Sequence, residues 1–237
     1  MNPINALFLA AALAAALPAA AASAADRTYP VTDFDSVRVE GPFEVSLATG
    51  LSSRVQASGA PEALERVSVE VEGRTLRIRV NPSAWGGYPG QSPGHVRIIA
   101  STRDLVRASV VGSGSLDIDK ARGLRLDLAV GGSGHLALHA LEADNLNVGL
   151  VGSGRIALGG HARQMRVTIQ GSGDLDGARL QADDVQLGAD TAGSITLGPA
   201  RTAKVRATGA GDVTIGGTPA CTVDAKGAGR VRCGPNG

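Results

Sequence analysis

From residue 36 onward, apolar side chains fall at every second position of short blocks. Leu126, Leu128 and Val130 alternate with Arg125, Asp127 and Ala129, and Val167 and Ile169 alternate with Arg166, Thr168 and Gln170. Successive side chains of a strand point to opposite sides, so this alternation predicts strands with one buried and one wetted face. An amphipathic helix would need apolar residues three and four apart, which these blocks lack.

A returning tripeptide punctuates the blocks. Gly112-Ser113-Gly114 recurs as Gly132-Ser133-Gly134, Gly152-Ser153-Gly154 and Gly171-Ser172-Gly173, then as Thr191-Ala192-Gly193, Gly209-Ala210-Gly211 and Gly227-Ala228-Gly229. The steps are 20, 20, 19, 20, 18 and 18 residues, and a fixed period of this size marks a repeat architecture. Four and six places after each start lie apolar residues such as Leu116 and Ile118. Two, four and six places before it lie Val110, Ala108 and Val106 in the first repeat and Ala225, Val223 and Cys221 in the last. The positions between carry Arg125, Asp127, Asn147, Arg166, Thr168, Gln186, Arg206 and Asp224, as suits a wetted face.

Each repeat therefore reads as two strands joined at a glycine corner, where the backbone needs angles that side chains oppose. The predicted fold is all-β: a parallel β-helix of right-handed winding with coils of about 20 residues. Seven such coils, stacked at strand spacing, would make a rod of roughly 30 Å. The recurring Ser113, Ser133, Ser153 and Ser172 read as a ladder of small hydroxyls. A nucleophile is needed once, and the elbow of serine hydrolases needs a helix after the serine, where this pattern predicts a strand.

The region before the repeats is a more irregular β region. Val37 and Val39, Val45 and Leu47, and Val55 and Ala57 mark strands, punctuated by Gly41-Pro42 and Thr49-Gly50. Residues 61–67 suit one short helical turn. Val69 to Val71 and Leu76 to Val80 read as a hairpin around Glu72-Gly73, with Glu70 and Glu72 pairing Arg77 and Arg79 on a wet face. Residues 81–94 break the pattern with three prolines and four glycines. They hold Trp85, the only tryptophan, and Tyr88. On an exposed loop these two are ligand-contact candidates for a sugar ring or a partner chain. The alternative is that Trp85 folds back over an apolar edge.

Composition narrows the function. Residues 1–25 carry no charged side chain, and the apolar run from Ala6 to Leu17 has the length of a signal peptide. The expectation is export by a cleaved signal, leaving 26–237 as a single domain in the periplasm, on the cell surface or secreted, without membrane insertion afterwards. Formal net charge is +1, which argues against a dedicated nucleic-acid or polybasic membrane surface. The 3% aromatic content is low for a carbohydrate module built on stacking platforms. His95, His135, His139 and His161 show no metal-binding spacing, and the oxygen cage calcium requires is not visibly supplied, so no metal or cofactor is expected. Cys221 and Cys233 are the only cysteines and read as either a disulfide closing the final coil or two buried thiols. Opposed sheets about 10 Å apart would be too far for a bridge unless that coil tapers. Asp117, Asp119, Asp174, Asp176, Asp183 and Asp184 are scattered, with no pair placed at a glycosidase separation.

The stretches Phe34-Asp35-Ser36-Val37-Arg38-Val39, Gly41-Pro42-Phe43-Glu44-Val45-Ser46-Leu47 and Gly73-Arg74-Thr75-Leu76-Arg77-Ile78, followed by the Gly-Ser-Gly coils, resemble the putative auto-transporter adhesin head GIN domain family. The resemblance covers almost all of 26–237 and implies an exported β-helical domain with no catalytic motif. The expected function is a non-enzymatic envelope or surface binding module, with a glycan or a cell-surface protein as partner. The alternatives are a polysaccharide-acting β-helix enzyme and a structural homo-oligomer of the envelope.

Overall fold

The computed structural model describes residues 25–81 and 95–234. The expected signal, apart from Ala25, lies outside the described residues, as do Trp85 and Tyr88. In chain order the elements are β1 (Ala25–Tyr29), β2 (Ser36–Glu40), β3 (Glu44–Thr49), β4 (Arg54–Gly59), α1 (Pro61–Glu65), β5 (Val67–Glu72), β6 (Thr75–Val80), β7 (Arg97–Thr102) and β8 (Arg107–Gly112). There follow β9 (Ser115–Gly132), β10 (His135–Gly152), β11 (Arg155–Gly171), β12 (Asp174–Thr191), β13 (Ile195–Ala207), β14 (Val213–Gly216), β15 (Ala220–Ala225) and β16 (Val231–Cys233).

The strands from β9 to β13 stack in parallel, each residue opposite its counterpart one repeat away: His135 on Ser115 and Arg155, Val148 on Leu128 and Val167. The chain is thus a parallel β-solenoid. Each coil runs along one face, turns, returns along a second face and turns again at the glycine tripeptide. Pairing continues through the first turn as well, so each long strand wraps a whole coil. That turn forms a short third side, with Ala121, Leu141 and Leu180 pointing inward. The face before each tripeptide is called face A and the face after it face B. Leu126, Leu128 and Val130 from face A meet Leu116 and Ile118 from face B, all at most 2% exposed.

The N-terminal strands complete the rod out of sequence order. β2 lies between β6 and β8 on face A, and β3 lies between β7 and β9 on face B, all parallel. Residues 41–43 therefore make one more corner of the same column. The hairpin of β5 and β6 forms as the sequence predicts, with Arg77 on Glu72 at 2.9 Å and Arg79 on Glu70 at 3.0 Å. On face B, β4 pairs antiparallel with β7 and β1 pairs antiparallel with β4, and α1 buries Ala63 and Leu64.

The tripeptide divides its labour. Gly152 takes φ +115°, a left-handed value that side chains oppose. A Cβ on Gly154 would stand 2.5 Å from the Gly134 carbonyl oxygen, so the third position is small because the coil beneath is too close. Ser153 between them is exposed, and its N–H donates to the Gly132 carbonyl at 2.9 Å.

At Thr191 the corner changes. No non-glycine residue among those described has positive φ, and Thr191 is buried with its Oγ1 accepting from the Gly193 N–H at 2.9 Å. Upstream, the N–H after each tripeptide donates to a backbone carbonyl, Ser115 to Phe43, and His135, Arg155 and Asp174 to the glycines Gly114, Gly134 and Gly154. Here the Ser194 N–H instead donates to Asp174 Oδ1 at 2.9 Å, and in the last coil the Arg230 N–H donates to Asp212 Oδ1 at 2.9 Å. A carboxylate thus replaces the backbone acceptor where the glycine corner is lost.

Three positions expected to point inward, Val106, Val223 and Ala225, are exposed instead. Val106 is 40% exposed and Leu105 is buried in its place, because the chain bends there while crossing from β7 over the β2–β3 rung to β8. Val223 is 45% exposed, since no described strand lies beyond β15 to cover it. The same last coil tapers: Cys221 and Cys233 are joined as a disulfide with Cα atoms 6.6 Å apart.

Candidate binding face

Face A is a regular ladder of outward side chains, because every strand repeats the same alternation. Five places before each tripeptide runs the column Arg107, Asp127, Asn147, Arg166, Gln186 and Lys204, with neighbours paired rung by rung. Two places nearer the corner run Ala129, Gly149, Thr168 and Gly188, a floor of small residues. Two further places on, Val111 and Val151 stand 39% and 57% exposed on either side of Gly131. Polar column, small floor and border together form a shallow groove along the rod; lower down the border carries Gln170 and the exposed Asp190, and the floor ends at Arg206.

The groove changes character along its length. At its upper end Asp127 collects Asn147 Nδ2 at 2.7 Å, Arg125 at 3.3 Å and Arg107 at 3.5 Å. Burial works to raise the Asp127 pKa, but the hydrogen bonds of Asn147 and Arg125 and the charges of Arg125 and Arg107 outweigh it and hold the carboxyl below its usual range. Lower down there is no such neutralisation. Arg166 donates to the Gln186 amide oxygen at 3.3 Å, and among the described residues neither Arg166 nor Lys204 makes an ion pair. Both border two shallow depressions, of about 400 and 380 Å³, which also expose Gln186 and Thr222. The acids in those depressions are already engaged: Asp184 accepts from Thr202 at 2.7 Å and from Arg201 at 3.4 Å, and Asp224 lies 3.6 Å from Arg206.

The other acids of the sequence reading are engaged in the scaffold, four of them between neighbouring coils and Asp176 within its own strand. Asp117 sits 3.0 Å from His139, Asp119 accepts the Thr49 N–H at 3.0 Å, and Asp176 accepts the Ala178 N–H at 3.2 Å. Asp183 lies 4.0 Å from His161. Asp174 is held below the usual carboxylate range by the Ser194 N–H and by Arg155, against a smaller opposing effect of burial. Among the described residues no three His, Cys, Asp or Glu side chains converge as metal ligands. The alternation of the sequence already placed Arg166 and Gln186 on a wetted face. Lys204 was missed, although it stands at the same offset from Gly209 that Arg166 has from Gly171.

The fold and its face thus make a parallel β-solenoid with a polar, open groove along one side. The chain belongs to the family described as putative auto-transporter adhesin, head GIN domain, which matches residues 33–219. Among solved structures it is similar to a putative adhesin from Bacteroides fragilis at 21% identity, with a TM-score of 0.79 over 90% of this chain and 98% of that one. A putative lipid binding protein from Parabacteroides distasonis matches at 21% identity and a TM-score of 0.67, over 89% and 96% of the two chains. A putative adhesin from Parabacteroides merdae matches at 16% identity and a TM-score of 0.62, over 89% and 95%. At these identities the likeness is one of fold. No functionally curated protein matches the chain. Among the described residues no helix is long and apolar enough to cross a membrane.

Proposed function

We propose that the chain is an exported, non-enzymatic binding module of the cell envelope or surface, adhesin-like in kind, which holds its ligand against face A. The observation that carries this reading is the pair of uncompensated cations, Arg166 and Lys204, lining an open polar groove on a rigid sheet. A preformed surface loses little freedom on binding, which favours recognition of an extended partner. The family description and the two neighbours described as adhesins support the binding role. The uncharged segment 1–25 supports export. The structural engagement of the scattered acids favours recognition over polysaccharide cleavage.

Trp85 and Tyr88 are proposed as a second contact. The described strands on either side of their segment, β6 and β7, pair with β2 and β3, and β2 also pairs with the strand that carries Val111. The test is a glycan array and a peptidoglycan pull-down with residues 26–237, beside Lys204→Ala and Trp85→Ala. Loss of signal in Lys204→Ala supports face A, and loss in Trp85→Ala alone moves the site to 81–94. No signal from the unaltered protein on any of these surfaces overturns the binding reading.

A further inference from the structure

We infer that the lower half of the face A groove takes an extended anionic polysaccharide lying along the rod axis, with one acidic group per disaccharide. The inference rests on the binding reading above and names its ligand class. Arg166, Gln186 and Lys204 are consecutive rungs of one column. Two rungs of a parallel sheet separate the cations by about 9.6 Å. That is the scale on which carboxylates recur in an extended chain whose acidic sugar alternates with a neutral one. The amide between the cations, Gln186, then faces the neutral sugar, whose hydroxyls both donate and accept.

The surroundings agree with a sugar chain. Thr222 continues the column beyond Lys204 with a hydroxyl, and Asn147 precedes Arg166 with an amide. The floor of Gly149, Thr168 and Gly188 leaves room for a ring to approach the backbone. Val151 on the border, 57% exposed, offers an apolar contact to the C–H face of a ring. Asp127 does not repel such a ligand, because Arg107, Arg125 and Asn147 already surround it. The acids bordering the depressions, Asp184 and Asp224, are paired with Arg201 and Arg206, and Asp190, exposed at the edge of the face, stands four residues along its strand from Gln186. Attraction to an anion therefore falls on Arg166 and Lys204. It acts at the surface, so it weakens as salt shortens the screening length.

The probe is a hyaluronan octasaccharide, which has one carboxylate per disaccharide and no sulfate. It is titrated calorimetrically into residues 26–237, beside neutral chitohexaose, chondroitin sulfate and single-stranded poly-dT. The expected result is hyaluronan binding that weakens with salt and falls at least tenfold in Arg166→Gln/Lys204→Gln. Arg163→Gln, on the short third side, should bind as the unaltered protein does. A melting temperature unchanged in the double variant separates lost contacts from lost fold. Tighter binding of chondroitin sulfate, which adds a sulfate to the same carboxylate in each disaccharide, with the same two-residue dependence supports the anionic class and overturns the count of one acidic group per disaccharide. Equal binding of chitohexaose by the unaltered protein and the double variant overturns the anion assignment. So does poly-dT binding as tightly as any saccharide through the same two residues. A protein that still reads surfaces in the array but ignores every anionic saccharide sinks this inference alone. One that gives no array signal sinks the reading beneath it.

Discussion

Gly154 and Gly131 are both glycines of the repeat, and their surroundings predict opposite responses to alanine. A Cβ at Gly154 meets the Gly134 carbonyl oxygen at 2.5 Å and Val130 at 2.7 Å, so the coils must separate. Gly154→Ala should cost about 3 kcal/mol in chemical denaturation. Gly131 has open space around its Cβ position and no positive φ, so Gly131→Ala should be neutral or stabilise by about 0.4–1 kcal/mol. Equal effects would mean that the corner is not as close-packed as described. Acid sensitivity is also decided residue by residue. Asp35, Glu40, Asp127 and Asp174 all have carboxyl pKa values lowered in the fold. A lowered group lends stability above its unfolded pKa and loses it as pH falls through its folded value. The melting temperature should therefore stay level from pH 7 to 5 and drop below about pH 4. Asp174→Asn keeps an acceptor for the Ser194 N–H but does not titrate there. It should melt slightly lower at pH 7, by less than about 1 kcal/mol, with a shallower acid limb.

At the scale of single elements, the last coil is the weak one. β15 and β16 have neighbours on one side only among the described strands, and Val223 is exposed. The disulfide closes a separation of 12 residues within this coil, and a loop of that size is stabilised by about 3 kcal/mol. Reduction should raise hydrogen exchange over residues 220–233 and leave the amides of β10 and β11 protected. Uniform loss of protection would show that the coil is coupled to the whole rod. Elements also mark where the sequence was readable. Alternation and the returning tripeptide placed the two long faces and their inward columns, because one offset served every repeat. The third side escaped because Ala121, Leu141 and Leu180 are separated from the preceding strand by irregular pairing, such as the shifts after Leu138 and Ala157. Val106 was misplaced because a single bend reverses alternation, and sequence alone does not show a bend.

At the scale of the whole molecule, the sequence implied a rod but not how its rungs are ordered. Long-range pairing of β2 with β6 and β8 leaves no local signal, since each strand alternates equally well in any slot. The candidate groove was half legible for a related reason. Arg166 and Gln186 were visible as outward residues, whereas their meaning depends on Lys204 and on which acids are already engaged. Charge that is balanced over the chain, at +1, is thus unbalanced over one stretch of one face.

The slot taken by β2 and β3 governs how such a rod can be made and trimmed. The β2–β3 segment, synthesised before the strands on either side of it, is an interior plank, open on both edges until β6–β7 closes one and β8–β9 the other. Assembly therefore cannot proceed strictly in the order of synthesis. It has to wait for residue 118, where β9 completes its pairing with β3, before that plank is covered on both sides. Whole coils can be removed from the C-terminal end, leaving a shorter version of the same object. Removing residues 26–50 instead pulls a rung from the middle and leaves two pieces with nothing between them.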